Sequence, residues 1–489
     1  MASPPLEPHV VIFPFMAHGH TLPLLDLSKA LSHRRIKVTI ITTPSNVKSI
    51  SENLAYHPNI IILPIPFPTD IDALGLPRGI ENTSQLPSMD FWFPFVLATK
   101  QLQKPFEQVL QSMRDSKSLP MCVISDFFLG WTLKYCQDFG VPRLVFHGMG
   151  VLSMAICKSV LVHRPHLKAK SVSEPLDFPG LKLPFVLYTS ELPEMILQVG
   201  DANDPFSQYM FEVSEADINS WGVIVNSFEE LETGTVSSFE SFYEKGAKAW
   251  CLGPLNFYEK VEGGVANNYI SEVHINQKKQ GLVLTEWLNE QGTLGSVIYV
   301  SFGTQADLSG AQLDEVVFGL EEAGVPFVLV VRSTTWSPPN GLEERLKGKG
   351  LITREWVDQR QILSHRAVGG FLSHCGWNSV IESISAGVPI LAWPMIAEQC
   401  LNAKLVAEGL GAGLGIKKVK DHSGSGFEVS RQAICEGVRE LMLGGEKGRS
   451  AKERAQALGR VAWRAVQKGG SSYQALGKLA DQLRASSAQ

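Results

Sequence analysis

The sequence predicts an α/β protein of two doubly wound units, each a parallel sheet wrapped by crossover helices. Three observations carry that expectation. Short apolar, β-branched runs alternate with helical stripes from the amino terminus onward; the alternation breaks at one stretch rich in Gly, Asn and Lys and then restarts; and 489 residues are more chain than a single core uses.

His9 to Phe15 (HVVIFPF) reads as the first strand, followed by the polar turn Ala17 to His20 and a helix with Leu22, Leu25 and Ala30 on one stripe. Lys37 to Thr43 is the second strand. Ile60 to Pro64, Cys122 to Ser125, Arg143 to Phe146 and Gly222 to Val225 continue the pattern. Trp250 to Pro254 punctuates the end of this half. Residues 1–257 therefore form one domain and 258–280, where Gly263 and Gly264 stand without apolar period, the linker. The alternation resumes with Ser296 to Ser301, the Phe302-Gly303-Thr304 turn, an amphipathic helix ending near Gly324, and the strand Val325 to Arg332. Residues 281–470 make the second domain, and a terminal helix over about 471–489, set off by Gly469 and Gly470, is expected to pack back on the first. Two such domains face each other across a cleft, and ligands of these sheets bind outside the carboxyl ends of the strands.

Composition narrows the function. The chain is 44% hydrophobic and 19% charged, with mean hydropathy +0.03, which suits a folded protein and excludes disorder as its theme. Lys and Arg number 44 against 49 Asp and Glu, so no cationic field favours nucleic acid as a partner. Seven cysteines, widely spaced and without a CxxC pair, disfavour a disulfide framework or a zinc ribbon. The amino terminus lacks a basic region ahead of its short apolar run, and no stretch approaches a membrane span, which gives a cytoplasmic and membrane-free expectation; a monomer is expected as well, though the sequence does not fix the oligomeric state. The sequon at Asn82 is then a chance match.

Chemistry concentrates in Trp356 to Gln399, WVDQRQILSHRAVGGFLSHCGWNSVIESISAGVPILAWPMIAEQ. Ala367 to Ser373 reads as a buried strand and Gly376 to Ala386 as a helix closed by Gly387. His374, Gly376, Trp377, Asn378 and Ser379 then sit at a strand-to-helix turn, where unpaired N–H groups and the positive end of the helix dipole favour an anion. Asn378 and Glu382 share a helix face, so one can hold a phosphate oxygen while the other reaches a ribose hydroxyl. Trp356 offers a flat face to a nucleobase.

Those residues resemble the signature box of plant secondary-metabolite UDP-glycosyltransferases, the family 1 enzymes of the GT-B fold with two Rossmann-like domains, through the whole pattern W..Q...L.H...G.F.SHCGWNS..ES...GVP....P....EQ. FPFMAHGH near the amino terminus, Asp126 and the SFGT at Ser301 to Thr304 extend the resemblance over the chain. It implies that Trp356 stacks on uracil, with Val357 and Gln359 holding the base or ribose and Glu382 the ribose hydroxyls. It puts His374, Asn378, Ser379 and Thr304 on the diphosphate, with Gly376 giving backbone access, and Trp377, Glu398 and Gln399 on the sugar. Gln at the end of the box accompanies glucose in similar enzymes. Two positions depart from the family pattern: Asp358 stands where Pro is commonest, and Glu398 replaces the more frequent Asp.

The resemblance also implies His20 as general base and Asp126 as its partner. An acceptor hydroxyl needs a positioned imidazole to take its proton, and a carboxylate fixes that imidazole's tautomer. The implied product is an inverted β-O-glucoside, formed without a cofactor or metal, the UDP-sugar being a co-substrate. Taken singly, each residue has a plainer reading: His20 a structural histidine, Asp126 a strand-end cap, His18 with His20 a weak metal pair, Trp393 a core aromatic. The acceptor end is read only from apolar segments that suit a flat phenolic such as a flavonoid, with His18, Phe91, Trp92, Phe127 and His147 as candidate contacts and no charged cluster among them. Another UDP-sugar (rhamnose, galactose, xylose), a terpenoid, steroid or already glycosylated acceptor, and C-glycoside formation stay open. A nicotinamide oxidoreductase is disfavoured because no GxGxxG occurs, and a non-enzymatic sugar-nucleotide binder because both His20 and Asp126 are present.

Overall fold

The computed structural model describes residues 8–487 except 55–56, 70, 72–73, 233, 244–245, 263–274, 306–307, 334 and 421–426. Its first sheet holds seven parallel strands: β1 His9–Phe13, β2 Lys37–Thr42, β3 Ile60–Pro64, β4 Cys122–Asp126, β5 Arg143–Phe146, β6 Gly222–Val225 and β7 Lys248–Cys251. They lie in the order β3-β2-β1-β4-β5-β6-β7. Strands buried on both faces need no alternation, and β1, β4, β5 and β6 are buried at every position. The second sheet holds six parallel strands, β8 Val297–Ser301, β9 Phe327–Val330, β10 Gly350–Thr353, β11 Val368–Ser373, β12 Ile390–Ala392 and β13 Gly413–Gly415, in the order β10-β9-β8-β11-β12-β13.

Both sheets reverse their winding at one place, between β1 and β4 in the first and between β8 and β11 in the second. Ligand crevices of open parallel sheets form at such switch points. Here the two crevices open toward each other, and the hydrophobic core runs from β5 and β6 of the first sheet to β8 and β11 of the second.

Three elements differ from expectation for identifiable reasons. The turn read at Ala17 to His20 is already helix: His20 and Thr21 both donate to the Ala17 carbonyl, and the helix runs His18–His33. The punctuation read at Trp250 contains edge strand β7, whose four residues are too few to show a period. The stretch read as linker is helical at both ends of its undescribed centre, over Tyr258–Glu262 and from Ile275 into Ile275–Glu290. Residues 263–274 lie outside the described residues.

The chain ends in the helices Glu446–Val466 and Ser471–Ser487. In the second, Leu476, Leu479 and Leu483 join the core of the first sheet beside Val10, Ile12 and Trp250, and Ser472 Oγ donates to the Gly253 carbonyl at 2.6 Å. Among the described residues no helix is long and apolar enough to cross a membrane.

Candidate active site

A cavity of about 400 Å³ fills the space between the two switch points. On one wall, the helix His18–His33 leaves β1 and places His20 opposite the end of β4. His20 Nδ1 meets Asp126 Oδ2 at 2.6 Å; Asp126 is fully buried, while the His20 side chain is 22% exposed. Asp126 Oδ1 accepts from Phe128 N–H at 3.0 Å, so the carboxylate caps the turn after its own strand and orients the imidazole together. Burial works to lower the His20 pKa, but the charge and hydrogen bond of Asp126, with Glu398 beyond, outweigh it and hold the imidazole above its ordinary value. Nε2 has no protein partner among the described residues and the ring lines the cavity.

The opposite wall is the turn from β11 into the helix Trp377–Ala386. Cys375 carries φ +64° in this turn, a left-handed conformation costly for a side chain. The glycines beside it answer to His374. A Cβ on Gly376 would lie 2.6 Å from His374 Nε2, and one on Gly303, at φ +78°, would lie 2.7 Å from the same atom. His374 is thus clasped between the loops that follow β8 and β11, and burial pushes its pKa down to about 4, so it is a neutral imidazole. Thr304 and Gln305 extend the β8 loop along the same wall, and Gln305 Nε2 donates to Thr83 Oγ1 of the first domain.

The remaining residues of the box close the far end. Trp356 follows β10 and is 48% exposed, its indole open to the cavity beside Val357. Gln359 Nε2 donates to Ser379 Oγ at 2.9 Å and to Glu382 Oε2 at 2.8 Å, and Glu382 Oε1 accepts from Arg360 Nε at 2.8 Å. Asp358, the departure from proline, accepts from the N–H groups of Arg360 and Gln361 and so caps the helix Gln359–Leu363 in place of a stiff ring.

Sequence models of two families together match residues 7–433 of the chain: "Glycosyltransferase, N-terminal domain" over residues 7–257 and "UDP-glucoronosyl and UDP-glucosyl transferase" over residues 253–433. The chain belongs to the UDP-glycosyltransferase family. It is 36% identical to the scopoletin glucosyltransferase of Nicotiana tabacum, over 97% of this chain and 98% of that one. It is 35% identical to the UDP-glucose flavonoid 3-O-glucosyltransferase 7 of Fragaria ananassa, over 97% and 96%. The structure of Phytolacca americana UGT2 complexed with UDP-2fluoro-glucose and pterostilbene superposes with a TM-score of 0.77 at 27% identity, covering 97% of this chain and 99% of that one.

Within this glycosyltransferase some candidate residues are already engaged by the other domain. Trp377 is 2% exposed, packs on Gly150 and gives its only side-chain N–H to the Asn226 carbonyl at 3.0 Å. It reaches the cavity wall with no free donor. Asn378 Nδ2 donates to the Gly19 carbonyl, and its oxygen accepts from Asn226 at 3.4 Å. Gln399 is buried, with its oxygen taken by the N–H groups of Met395 and Ile396, which leaves its NH2 as the part available to a ligand. Glu398 accepts from Asn402 Nδ2 at 3.0 Å, and withdrawal from water raises its pKa.

At the acceptor end Trp92, Phe127, His147 and His18 line the cavity; Phe91 does not. The chain there turns through Met89–Phe91 into the helix Trp92–Thr99, so Met89 and Trp92, three apart, share the cavity face while Phe91 packs toward the first sheet's core. His18 and His20 both line the cavity, and His20 Nδ1 is held by Asp126. Among the described residues no three metal-ligating side chains gather.

Sequence reasoning missed a charged cluster in this half. Asp217 is fully buried and accepts from His147 Nε2 at 3.0 Å, from Tyr243 Oη at 2.9 Å and from Lys158. Burial would raise its pKa, yet the contacts with His147 and Lys158 outweigh that and drive it far below the carboxylate range. Arg332 and Arg360 on the donor side were missed as well. The signal for Arg332 was its place at the carboxyl end of a parallel strand; Lys158 and Asp217 sit 59 positions apart and left none.

Proposed function

We propose that the chain transfers glucose from UDP-glucose to a hydroxyl of a small hydrophobic phenolic, a flavonoid or a simpler phenol, with inversion at the sugar carbon. The observation that carries this reading is the 2.6 Å pairing of His20 with buried Asp126 in a cavity that the turn beginning the helix Trp377–Ala386 also lines.

His20 Nε2 takes the proton of the acceptor hydroxyl as its oxygen attacks C1 of the sugar, and Asp126 stabilises the imidazolium that forms. The bond from C1 to the phosphate oxygen breaks on the opposite face, and the electron pair leaves with UDP. Charge building on the diphosphate meets the N–H groups of the helix start, the Thr304 hydroxyl and neighbouring donors, all fixed before the reaction begins. Trp356, Gln359 and Glu382 hold the uridine, and the Gln399 NH2 with Glu398 reads the sugar hydroxyls. The aromatic wall of Trp92 and Phe127 suits a flat acceptor. Support for a phenolic comes from relatives named for scopoletin and a flavonoid, and support for glucose from those names and from Gln399.

The test is a mass-spectrometric screen of the purified protein with UDP-glucose, UDP-galactose and UDP-rhamnose against flavonoids, simple phenols, terpenoids and steroids. A hexose gain on phenolics from UDP-glucose, with a β linkage by NMR, is the expected result. Transfer from another donor alone, or to terpenoids alone, would overturn the donor or the acceptor part respectively.

A further inference from the structure

The diphosphate of a UDP-sugar brings two negative charges into a cavity that holds few free positive ones. Arg360 is tied to Asp26 at 2.7 Å and to Glu382 at 2.8 Å, and Lys158 is tied to Asp217. His20 is paired with Asp126, and His374 is neutral. The helix start at Trp377 contributes only about half a unit charge.

Arg332 is the exception. It follows β9, at the carboxyl edge of the second sheet, and lines the cavity together with Thr304 on one neighbouring loop and Trp356 on the other. Its side chain is exposed and has no hydrogen bond or ion pair among the described residues. Its charge is felt inside the cleft: after burial, it is what holds the His18 imidazole below its ordinary value. A guanidinium presents five donors in a planar fork that matches phosphate oxygens. We propose that Arg332 is the cation that binds the diphosphate of the donor and offsets the charge that gathers there as the sugar leaves. This rests on the cavity taking a UDP-sugar, and it adds a donor-side residue that the signature box does not contain.

Calorimetry on the full chain with UDP and with uridine, for wild type, R332Q and R332K, tests it. R332Q is expected to weaken UDP by about tenfold or more, with uridine unchanged and the salt dependence of UDP binding reduced. R332K, which keeps charge but not the fork, should fall between. Melting temperatures close to wild type establish that the variants are folded, as expected for an exposed side chain. Equal UDP affinity in wild type and R332Q would overturn the inference, and so would equal weakening of UDP and uridine. A loss confined to UDP-glucuronate transfer, with UDP binding intact, would move the guanidinium to a sugar carboxylate and overturn it too. Failure of the wild type to bind UDP would instead strike the reading of the cavity itself.

Discussion

Replacing Asp126 by Asn should remove most of the transfer activity while leaving nucleotide binding intact, because the asparagine forces the wrong imidazole tautomer. Asp126 divides its carboxylate between two donors, Phe128 N–H at 3.0 Å and His20 Nδ1–H at 2.6 Å. That arrangement keeps the ring proton on Nδ1 and leaves Nε2 bare toward the cavity. Asparagine has a single acceptor oxygen, and the Phe128 N–H claims it, since an unsatisfied buried donor costs about 1–3 kcal/mol. The asparagine NH2 then faces His20, whose proton must shift to Nε2, where the ring can accept nothing. Losing a positioned general base is worth about 10²–10⁴ in rate, or about 3–5 kcal/mol of barrier. The assay is kcat with the best acceptor from the screen, with the Kd for UDP measured beside it. Arg143 sets the control: it is 1% exposed, donates to the Asp126 carbonyl at 3.0 Å, and draws compensating charge from Asp217 and Asp126, so the melting temperature is followed as well. A folded Asp126→Asn enzyme within about threefold of the wild-type kcat would refute the tautomer argument.

The pH dependence follows from the same pair. His20 acts when neutral and its pKa is raised above 6.5, so kcat/KM should climb with pH and level off only above that value; an acid limb whose midpoint lies below 6.5 would contradict the pairing. Glu382→Gln keeps the shape but weakens acceptance of ribose hydroxyls, and steady-state kinetics should show donor KM up by about tenfold with kcat little changed. Gln399→His replaces an oxygen that accepts from both Met395 and Ile396 N–H with a single ring nitrogen, so the ratio of UDP-glucose to UDP-galactose turnover should fall. An unchanged ratio in competition assays would detach sugar choice from this residue.

What the sequence made legible depended on local signals. β3, β5 and β6 match the expected strands residue for residue, because short apolar runs bounded by turn residues have few alternatives. The helix Trp377–Ala386 was marked by glycines at both ends, Gly376 as its N-cap and Gly387 at φ +71°. Most of the wall opposite His20 was legible because one contiguous segment, Trp356 to Gln399, supplies it, with Thr304 and Arg332 added from neighbouring loops. The acceptor end was not, because it is assembled from Met89, Trp92, Phe127, His147, Lys158 and Asp217, which only the tertiary fold brings together. The reason for Gly376 was hidden too: close approach of a ligand was the sequence's suggestion, and the clasp on His374 is what the packing demands.

Arg360 joins what the two domains do separately. The helix that begins with His18 and carries His20 also carries Asp26, whose buried carboxylate pairs with Arg360 at 2.7 Å; Arg360 in turn pairs with Glu382 of the donor wall. Any opening of the cleft that draws this helix from the second domain must break the first pair or drag Glu382 with it. Asp26 does not line the cavity, so its substitution touches neither reacting group. A partly buried ion pair that loses one carboxylate costs about 1 kcal/mol or more, about fivefold or more in the population of the closed arrangement. Asp26→Asn should therefore lower kcat/KM by about that factor while Asp126 and His20 stay paired. Its effect should vanish in an Arg360→Gln background, because the same link is already cut. Additive losses in that double-mutant cycle would show that Asp26 acts on its own helix, and that base and donor site are held in register by the other cross-cleft bonds, from Trp377 to Asn226 and from Asn378 to Gly19.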